Sequence, residues 1–505
     1  MTKRFWYASA GIAALLTTTA AQAGTLWIAN MNNANEPGTV ARNAATGTTS
    51  LILNDAQTSA TIRGTHNEAL VNPSPVTLGH IHRGPAGAAG PVIFPYPNPN
   101  SPFGPLVWAI PASDVVNLQN GGLYSNIHTQ QNPGGDIRGQ FLRALLAPSA
   151  TTASQATVAR ALDVSAGYDT DLDLALIATN TGTAKAQALD DISGASLYVQ
   201  HQEALGAMGD FLNAATSQGE KHHRLWTGDE AGFSVFAQAG GSFGTRKTVD
   251  GETGAKISRP SIVGGLNYAF DGMNVGLAVS YAEGRNTLNN SYGKTTGKTV
   301  AVEGYVSTDF NGSPITMDAA VGFGKTSYDM TRALPSFGRT ATASTDGTVW
   351  GGMIKVAAPL KTGSGFSVSP YAQLDTTAAS VDAYTESGAG SLGLIVSDRN
   401  ISNAYAELGV QVGASEVSAG GISPRLSVGW RHALDNGKGS VATRLIGSPV
   451  FFNTVFLPAK DGVALGAAIA TRLSGGIELN LDYRGLVANP RLTAHAITAG
   501  LRVHF

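Results

Sequence analysis

The chain has 505 residues, 62 of them glycine and none cysteine, with 33 Lys and Arg against 35 Asp and Glu. A net charge of −2 excludes a general electrostatic attraction to nucleic acid or to anionic lipid. Such length predicts more than one folding unit, and none of them can rely on disulfides.

The first residues read as a secretory signal. Lys3 and Arg4 supply the positive end, Gly11 to Leu16 lie in the apolar stretch, and Ala21-Gln22-Ala23 has the A-x-A form of a cleavage site. Residues 1–23 are expected to be removed, leaving Gly24 as the start of the mature chain. No later segment offers the roughly 18 uninterrupted apolar residues of a membrane helix. Any crossing must use strands.

Residues 77–94, TLGHIHRGPAGAAGPVIF, place His80 and His82 on one face of a strand and Ile81 on the other. The glycines that follow scan as collagen triplets, but about three triplets are too few for a triple helix. No lysine follows them and no helix begins, which argues against a phosphate loop. A Gly/Pro turn between strands is sufficient. In GGLYSNIHTQQNPGGDIRGQFL, Tyr124, Asn126 and His128 share a face of a second strand before Pro133-Gly134-Gly135 turns the chain.

Three imidazoles on strand faces, His80, His82 and His128, can converge on a zinc or copper ion, with His66, Asp136 or water completing the shell. The competing expectation is that they hydrogen-bond to neighbouring loops and lock the strands together. Asp136 and Arg138, two residues apart, are expected to form an ion pair or to cap a turn.

With ANEPGTVARNAATG upstream, these pieces resemble the CHRD domain, first described in chordin and also found in bacterial proteins. The matching positions are Glu36, Pro37, Gly47, His80, His82, Gly84, Gly87 and Gly90, followed by Tyr124, Asn126, His128, Thr129, Gly135, Arg138 and Gly139. Asp136 stands where the pattern has glutamate, and the usual second proline and valine after Pro37 are missing. The resemblance spans residues from about 25 to 145 and implies an all-β, sandwich-like domain without assigning it a biochemical role.

Residues 148–187, rich in Ala, Thr and Asp, read as a stalk with some helix. From about 188 to 216 the spacing turns helical: Leu197, Leu205, Met208 and Leu212 recur in one row, with His201 in the same row. About 20 helical residues span about 30 Å, close to the thickness of a bilayer core. Polar residues cover most of the circumference, as on a helix lying in a polar pore or on an exposed amphipathic helix.

From about 231 the period becomes two. Val300, Val302 and Val306 oppose Thr299, Glu303, Tyr305, Ser307 and Asp309. Leu426, Val428 and Trp430 oppose Arg425, Ser427 and Arg431. Ile477, Leu479, Leu481 and Tyr483 oppose Glu478, Asn480, Asp482 and Arg484. Charges of both signs on the polar face, strand after strand, suit a barrel that is apolar toward lipid and wet within.

Short links at Asp271-Gly272, Asn311-Gly312-Ser313 and Ser474-Gly475-Gly476 are expected to alternate with long ones at about 243–259, 284–298, 329–346, 381–400 and 434–459. That alternation yields about twelve strands with both barrel ends in the periplasm. In the last strand Ile497, Ala499, Leu501, Val503 and Phe505 share the lipid face, while Arg502 and His504 point inward. Gly240-Gly241-Ser242-Phe243-Gly244 matches G-x-S-x-G, but it ends a strand with no helix behind it to form a nucleophile elbow. No catalytic residue and no cofactor-binding motif is assigned.

The order of parts resembles the autotransporters of Gram-negative bacteria (type V secretion), over residues from about 185 to 505. ALDDISGASL resembles the stretch preceding the translocator barrel in that family. The resulting division is 1–23 signal peptide, 24–147 CHRD-like passenger, 148–187 stalk, 188–226 pore-threading helix and 227–505 barrel. The resemblance implies a barrel in the outer-membrane bilayer, a helix in its pore, and a passenger on the cell surface. It implies the Sec translocon and the barrel assembly machinery as partners, with Leu501, Val503 and Phe505 as the assembly signal. The expected function is self-secretion and anchoring of a passenger that binds an unknown extracellular ligand, not catalysis. The alternatives are a metal-binding or metal-dependent enzymatic passenger with zinc or copper, and a channel with a periplasmic N-terminal domain.

Overall fold

A computed structural model describes residues 24–38, 40–71, 74–163, 182–194, 197–225, 232–249, 253–270, 272–309, 315–361, 365–414, 421–434, 439–446, 448, 452–456, 460–473 and 475–505. The expected signal segment, the Asn311-Gly312-Ser313 turn, Asp271, Ser474 and residues 164–181 of the expected stalk lie outside these. The chain divides into two units, one through Ala144 and one holding nearly all described residues beyond it.

In the first unit the strands are β1 (Gly24–Asn32), β2 (Thr46–Asn54), β3 (Ala60–His66), β4 (Val76–Arg83), β5 (Val92–Pro95), β6 (Phe103–Trp108), β7 (Leu123–Thr129) and β8 (Ile137–Arg143). They form one antiparallel sheet in the order β5-β4-β7-β8-β1-β2-β3-β6. The sandwich-like expectation therefore resolves into a single sheet that curls around its own core. Its edge strands meet through rings, Phe94 stacking on Trp108, while Tyr96, just past β5, stacks on Phe103. Alternation drives the curl: Ile62, Ile81, Ile127, Ile137 and Phe141 are fully buried on the inner face, each worth about 1.5–3 kcal/mol of burial. Val115 and Leu118 from the helix Ala112–Gln119 join that core.

The second unit inverts the pattern. β9 (Gly232–Arg246), β10 (Ala255–Phe270), β11 (Met273–Leu288), β12 (Gly293–Asp309), β13 (Thr316–Leu334) and β14 (Arg339–Ala357) run as consecutive hairpins. After a short β15 (Leu360–Lys361) comes β16 (Phe366–Val381). Two short strands, β17 (Tyr384–Thr385) and β18 (Leu394–Val396), precede β19 (Arg399–Ala414) and β20 (Ile422–Ala433). Then come β21 (Gly439–Leu445), β22 (Phe452–Phe456), β23 (Asp461–Arg472), β24 (Ile477–Val487) and β25 (Leu492–His504). Twelve of these close into a barrel, because β9 pairs with β25 over a continuous register from Ser234↔His504 to Arg246↔Leu492.

The faces fall as the period-two reading requires. Val300, Val302, Leu426, Val428, Trp430, Leu479 and Leu481 are exposed on the outside, whereas Thr299, Glu303, Tyr305, Ser307 and Glu478 are buried within. Ring contacts put aromatic side chains on the outer wall: Phe233 against Tyr268, and Tyr268 against Phe270, near one end, with Phe243 and Tyr483 against His495 near the other. Such aromatic girdles flank the apolar band of outer-membrane barrels.

The connections differ from expectation in one respect. At 243–259, 284–298 and 329–346 the strands continue, leaving only 247–254, 289–292 and 335–338 as turns. Only 382–398 and 434–460 are long, and part of them builds a small sheet in the order β17-β18-β21-β22. Strands of 15 to 19 residues exceed the roughly 9–11 that a bilayer requires. Beyond the lipid both faces meet water, so the apolar alternation stops although the hydrogen-bonded ladder does not. The short turns are as expected: Gly272, Gly475 and Gly476 adopt positive φ.

Candidate functional site

β4 and β7 lie side by side with His82 opposite Tyr124, His80 opposite Asn126 and Leu78 opposite His128. Directly paired residues share a face, so His80, His82 and His128 gather on the side of the sheet away from Ile81 and Ile127. His80 Nδ1 and His128 Nε2 are 3.3 Å apart, and one ring nitrogen from each of the three histidines lies within 4.8 Å of the others.

The other ring nitrogens of His82 and His128 are held from behind. His82 Nδ1–H donates to the Gly90 carbonyl and His128 Nδ1–H to the Pro133 carbonyl, both at 2.9 Å. The glycine-rich loop exists in part to supply the first of these. A Cβ on Gly90 would sit 1.7 Å from the Arg83 carbonyl oxygen, so only glycine lets the loop fold back. The loop is pinned by Arg138, which donates to the Pro85 and Ala88 carbonyls, and by Gln140, which donates to the Gly84 carbonyl. Arg138 lies 3.4 Å over the Tyr124 ring, and Tyr124 stacks in parallel on His82. One wall of the cluster is thus a His82–Tyr124–Arg138 stack.

Burial keeps all three imidazoles neutral at pH 7. It pulls His80 down to about 4, helped by repulsion from His128 and His82. It also lowers His82 and His128, against the opposing pull of the Gly90 and Pro133 carbonyls. Neutral imidazole is the form that binds a metal.

The two extra ligands considered from the sequence are elsewhere. His66 bonds the Pro99 carbonyl at 2.8 Å and packs on Phe103, outside the cluster. Asp136 accepts hydrogen bonds from Asn33, Asn43, Asn132 and Thr129. Burial raises its carboxyl, but these four bonds outweigh that and hold it below the ordinary value. Asp136 therefore ties loops together, and the expected ion pair with Arg138 gives way to the Tyr124 stack.

Sequence reasoning gave Glu36 no role beyond its motif position. Burial pushes its carboxyl up to about 7 although Arg138 and the Asn126 amide oppose the shift.

The second unit has its own polar centre. The pore helix Leu197–Leu225 lies inside the barrel, with Leu197, Leu205, Met208 and Leu212 buried; the side chain of His201 lies outside the described residues. The expected single stretch from 188 is two helices, Gly182–Ile192 and the pore helix, parted near Gly194 at positive φ. Arg259 of β10 bonds Glu203 and Asp210 of the helix, Asn286 bonds Glu203 at 2.7 Å, and Ser242 bonds Asp210 at 2.7 Å.

Small residues make this approach possible. A Cβ on Gly206 would meet the Arg259 guanidinium at 2.4 Å, and one on Gly284 would meet Glu203 Oε1 at 1.4 Å. Ser242, the serine of the G-x-S-x-G match, is thus a lumen hydrogen-bonder on β9. Beside the helix remains a cavity of about 360 Å³ whose wall carries Arg431, paired with Asp375 at 2.6 Å and Glu407 at 3.2 Å. Arg259 was missed because polar residues at 243–259 read as loop; its period-two position on a continued strand was the available signal.

Leu501 of β25 and Phe505, one residue past it, are exposed, and the Phe505 N–H donates to the Phe233 carbonyl at 3.0 Å. Arg502 and His504 point inward to Glu478.

A twelve-stranded barrel with a wet lumen, an apolar exterior and an internal helix defines an outer-membrane β-barrel protein. The family profile described as autotransporter β-domain matches residues 235–484, and that of the CHRD domain matches residues 27–141. The chain belongs to the autotransporters of the Gram-negative outer membrane and carries a CHRD domain at its N-terminal side.

No curated protein matches the chain. Among solved structures it is similar to the translocator domain of the autotransporter NalP from Neisseria meningitidis, at 15% identity and TM-score 0.48, covering 61% of this chain and 99% of that one. It is also similar to the β domain of the Bordetella autotransporter BrkA, at 18% identity and TM-score 0.39, covering 55% and 100%. The transport unit of AIDA-I from Escherichia coli matches at 12% identity and TM-score 0.38, covering 59% and 98%.

Replacing Arg259 by Met strands the buried Glu203 charge and is expected to cost about 3–5 kcal/mol. The temperature at which the barrel loses its fast-migrating form on gels should fall clearly, and R259M/E203M should recover part of the loss. The raised Glu36 carboxyl gives stability that is complete below its ordinary value of 4.5 and lost as pH rises through about 7. Glu36→Gln should therefore raise the melting temperature of the N-terminal unit more at pH 8 than at pH 4, as followed by calorimetry of the full chain.

Proposed function

We propose that the barrel exports the CHRD domain to the cell surface and anchors it there, where it binds an extracellular protein or matrix component. The reading is carried by the direction of the pore helix. Glu203 lies among the loop-side ends of β10, β11 and β12, while Ala214 accepts a hydrogen bond from Gln238 deeper in β9. The chain preceding Leu197 therefore leaves the lumen at the end opposite the short turns. Short turns face the periplasm in outer-membrane barrels, which makes the helix entrance the outer one.

The same reading takes the Sec translocon as the route across the inner membrane and the barrel assembly machinery as the route into the outer one. Leu501, Val503 and Phe505, on the lipid face of the strand that closes the barrel, serve as the assembly signal in this reading.

Protease added to intact cells should degrade the CHRD domain and leave a barrel fragment intact. Survival of the domain until the outer membrane is opened would instead indicate a channel with a periplasmic domain. Phe505→Ser should lower the amount of heat-modifiable barrel in outer membranes several-fold, with unfolded chain accumulating in the periplasm. An unchanged yield would remove the assembly role.

A further inference from the structure

We infer that His80, His82 and His128 form a binding site for one zinc- or copper-type ion, held by three imidazole nitrogens with a fourth position open. The inference concerns the CHRD domain alone and does not depend on where that domain is displayed.

Geometry comes first. Metal–nitrogen bonds of about 2.0–2.1 Å in a tetrahedron place neighbouring ligand atoms about 3.3 Å apart. His80 Nδ1 and His128 Nε2 already stand at 3.3 Å, and the third nitrogen lies within 4.8 Å of both.

Hydrogen bonding points the same way. Histidines that ligate metals usually donate their other ring N–H to a carboxylate, a backbone carbonyl or water, which fixes the tautomer and aims the free lone pair. Both buried members do this, through Gly90 and Pro133. The consequence is most telling at His82, where Nε2 is buried with no hydrogen-bond partner in a residue only 7% exposed. A buried acceptor without a partner costs about 1–3 kcal/mol, and a bound cation would remove that cost. A direct His80–His128 hydrogen bond satisfies two rings and leaves His82 unsatisfied, so it accounts for less of the arrangement.

The ligand set identifies the ion. Three neutral nitrogens suit zinc or copper and suit calcium or magnesium poorly, because the latter prefer oxygen. His80 is only half-buried, so the open position faces outward on its side of the cluster, where water or a ligand group can bind.

The test uses the full chain purified in detergent without a histidine tag, stripped with chelator and then titrated with zinc(II) or copper(II). Elemental analysis should return one ion per chain. His80→Ala and His128→Gln should each weaken affinity by roughly 100-fold, while His66→Ala should leave it unchanged. The copper(II) form of the unaltered chain should show coupling to three nitrogens by electron paramagnetic resonance, a readout that does not depend on any variant folding. Absence of binding at micromolar metal, equal affinity in all three variants, or a copper spectrum with fewer than three nitrogens would overturn the assignment.

Discussion

A peptide group in hydrocarbon has no water to bond, so a sheet that enters a bilayer must leave no edge. The pairing of β9 with β25 meets that demand, and the rest of the second unit follows from it. Closure creates an outside that must be apolar and an inside that need not be. It also creates a lumen, which a twelve-stranded wall leaves too wide for its own side chains to fill. The pore helix occupies that space with the polar surface a soluble core would not tolerate.

The helix is held at a depth set by charge and permitted by glycine. Glu203 and Asp210 converge on Arg259, and removing a guanidinium from among them would leave negative charge in a poorly solvated lumen. Gly206 on the helix and Gly284 and Gly297 on the wall open the room these side chains occupy. The glycine abundance of this sequence is therefore partly steric, since backbone and long polar side chains approach where a Cβ would collide.

The two units use the same alternation in opposite senses. In the CHRD domain the apolar face turns inward and the sheet curls on itself, burying Ile62, Ile81 and Phe141. In the barrel the apolar face turns outward, and Glu303 and Thr299 lie within. What distinguishes them is the polar face. In the barrel it is dense with charge that neighbouring strands and the helix can pair. In the CHRD domain it gathers three imidazoles, of which the Gly90 carbonyl orients His82 and the Pro133 carbonyl orients His128, and an arginine stacked on tyrosine fixes the glycine-rich loop in place.

The period-two pattern was enough to find the barrel, its twelve strands and the face of nearly every side chain quoted from it, because side-chain direction in a strand is local and strict. The same local rule placed His80 and His82 on one face and His128 on another strand's face. Loop lengths at 284–298 and 329–346 were not legible, because above the bilayer both faces of a strand are wet and polarity no longer separates strand from loop. Whether His66 and Asp136 joined the histidines, and whether Arg259 met Glu203 across 56 positions of sequence, depended on how strands register and curl. Those are contacts between distant segments, and in a single chain only tertiary folding decides them.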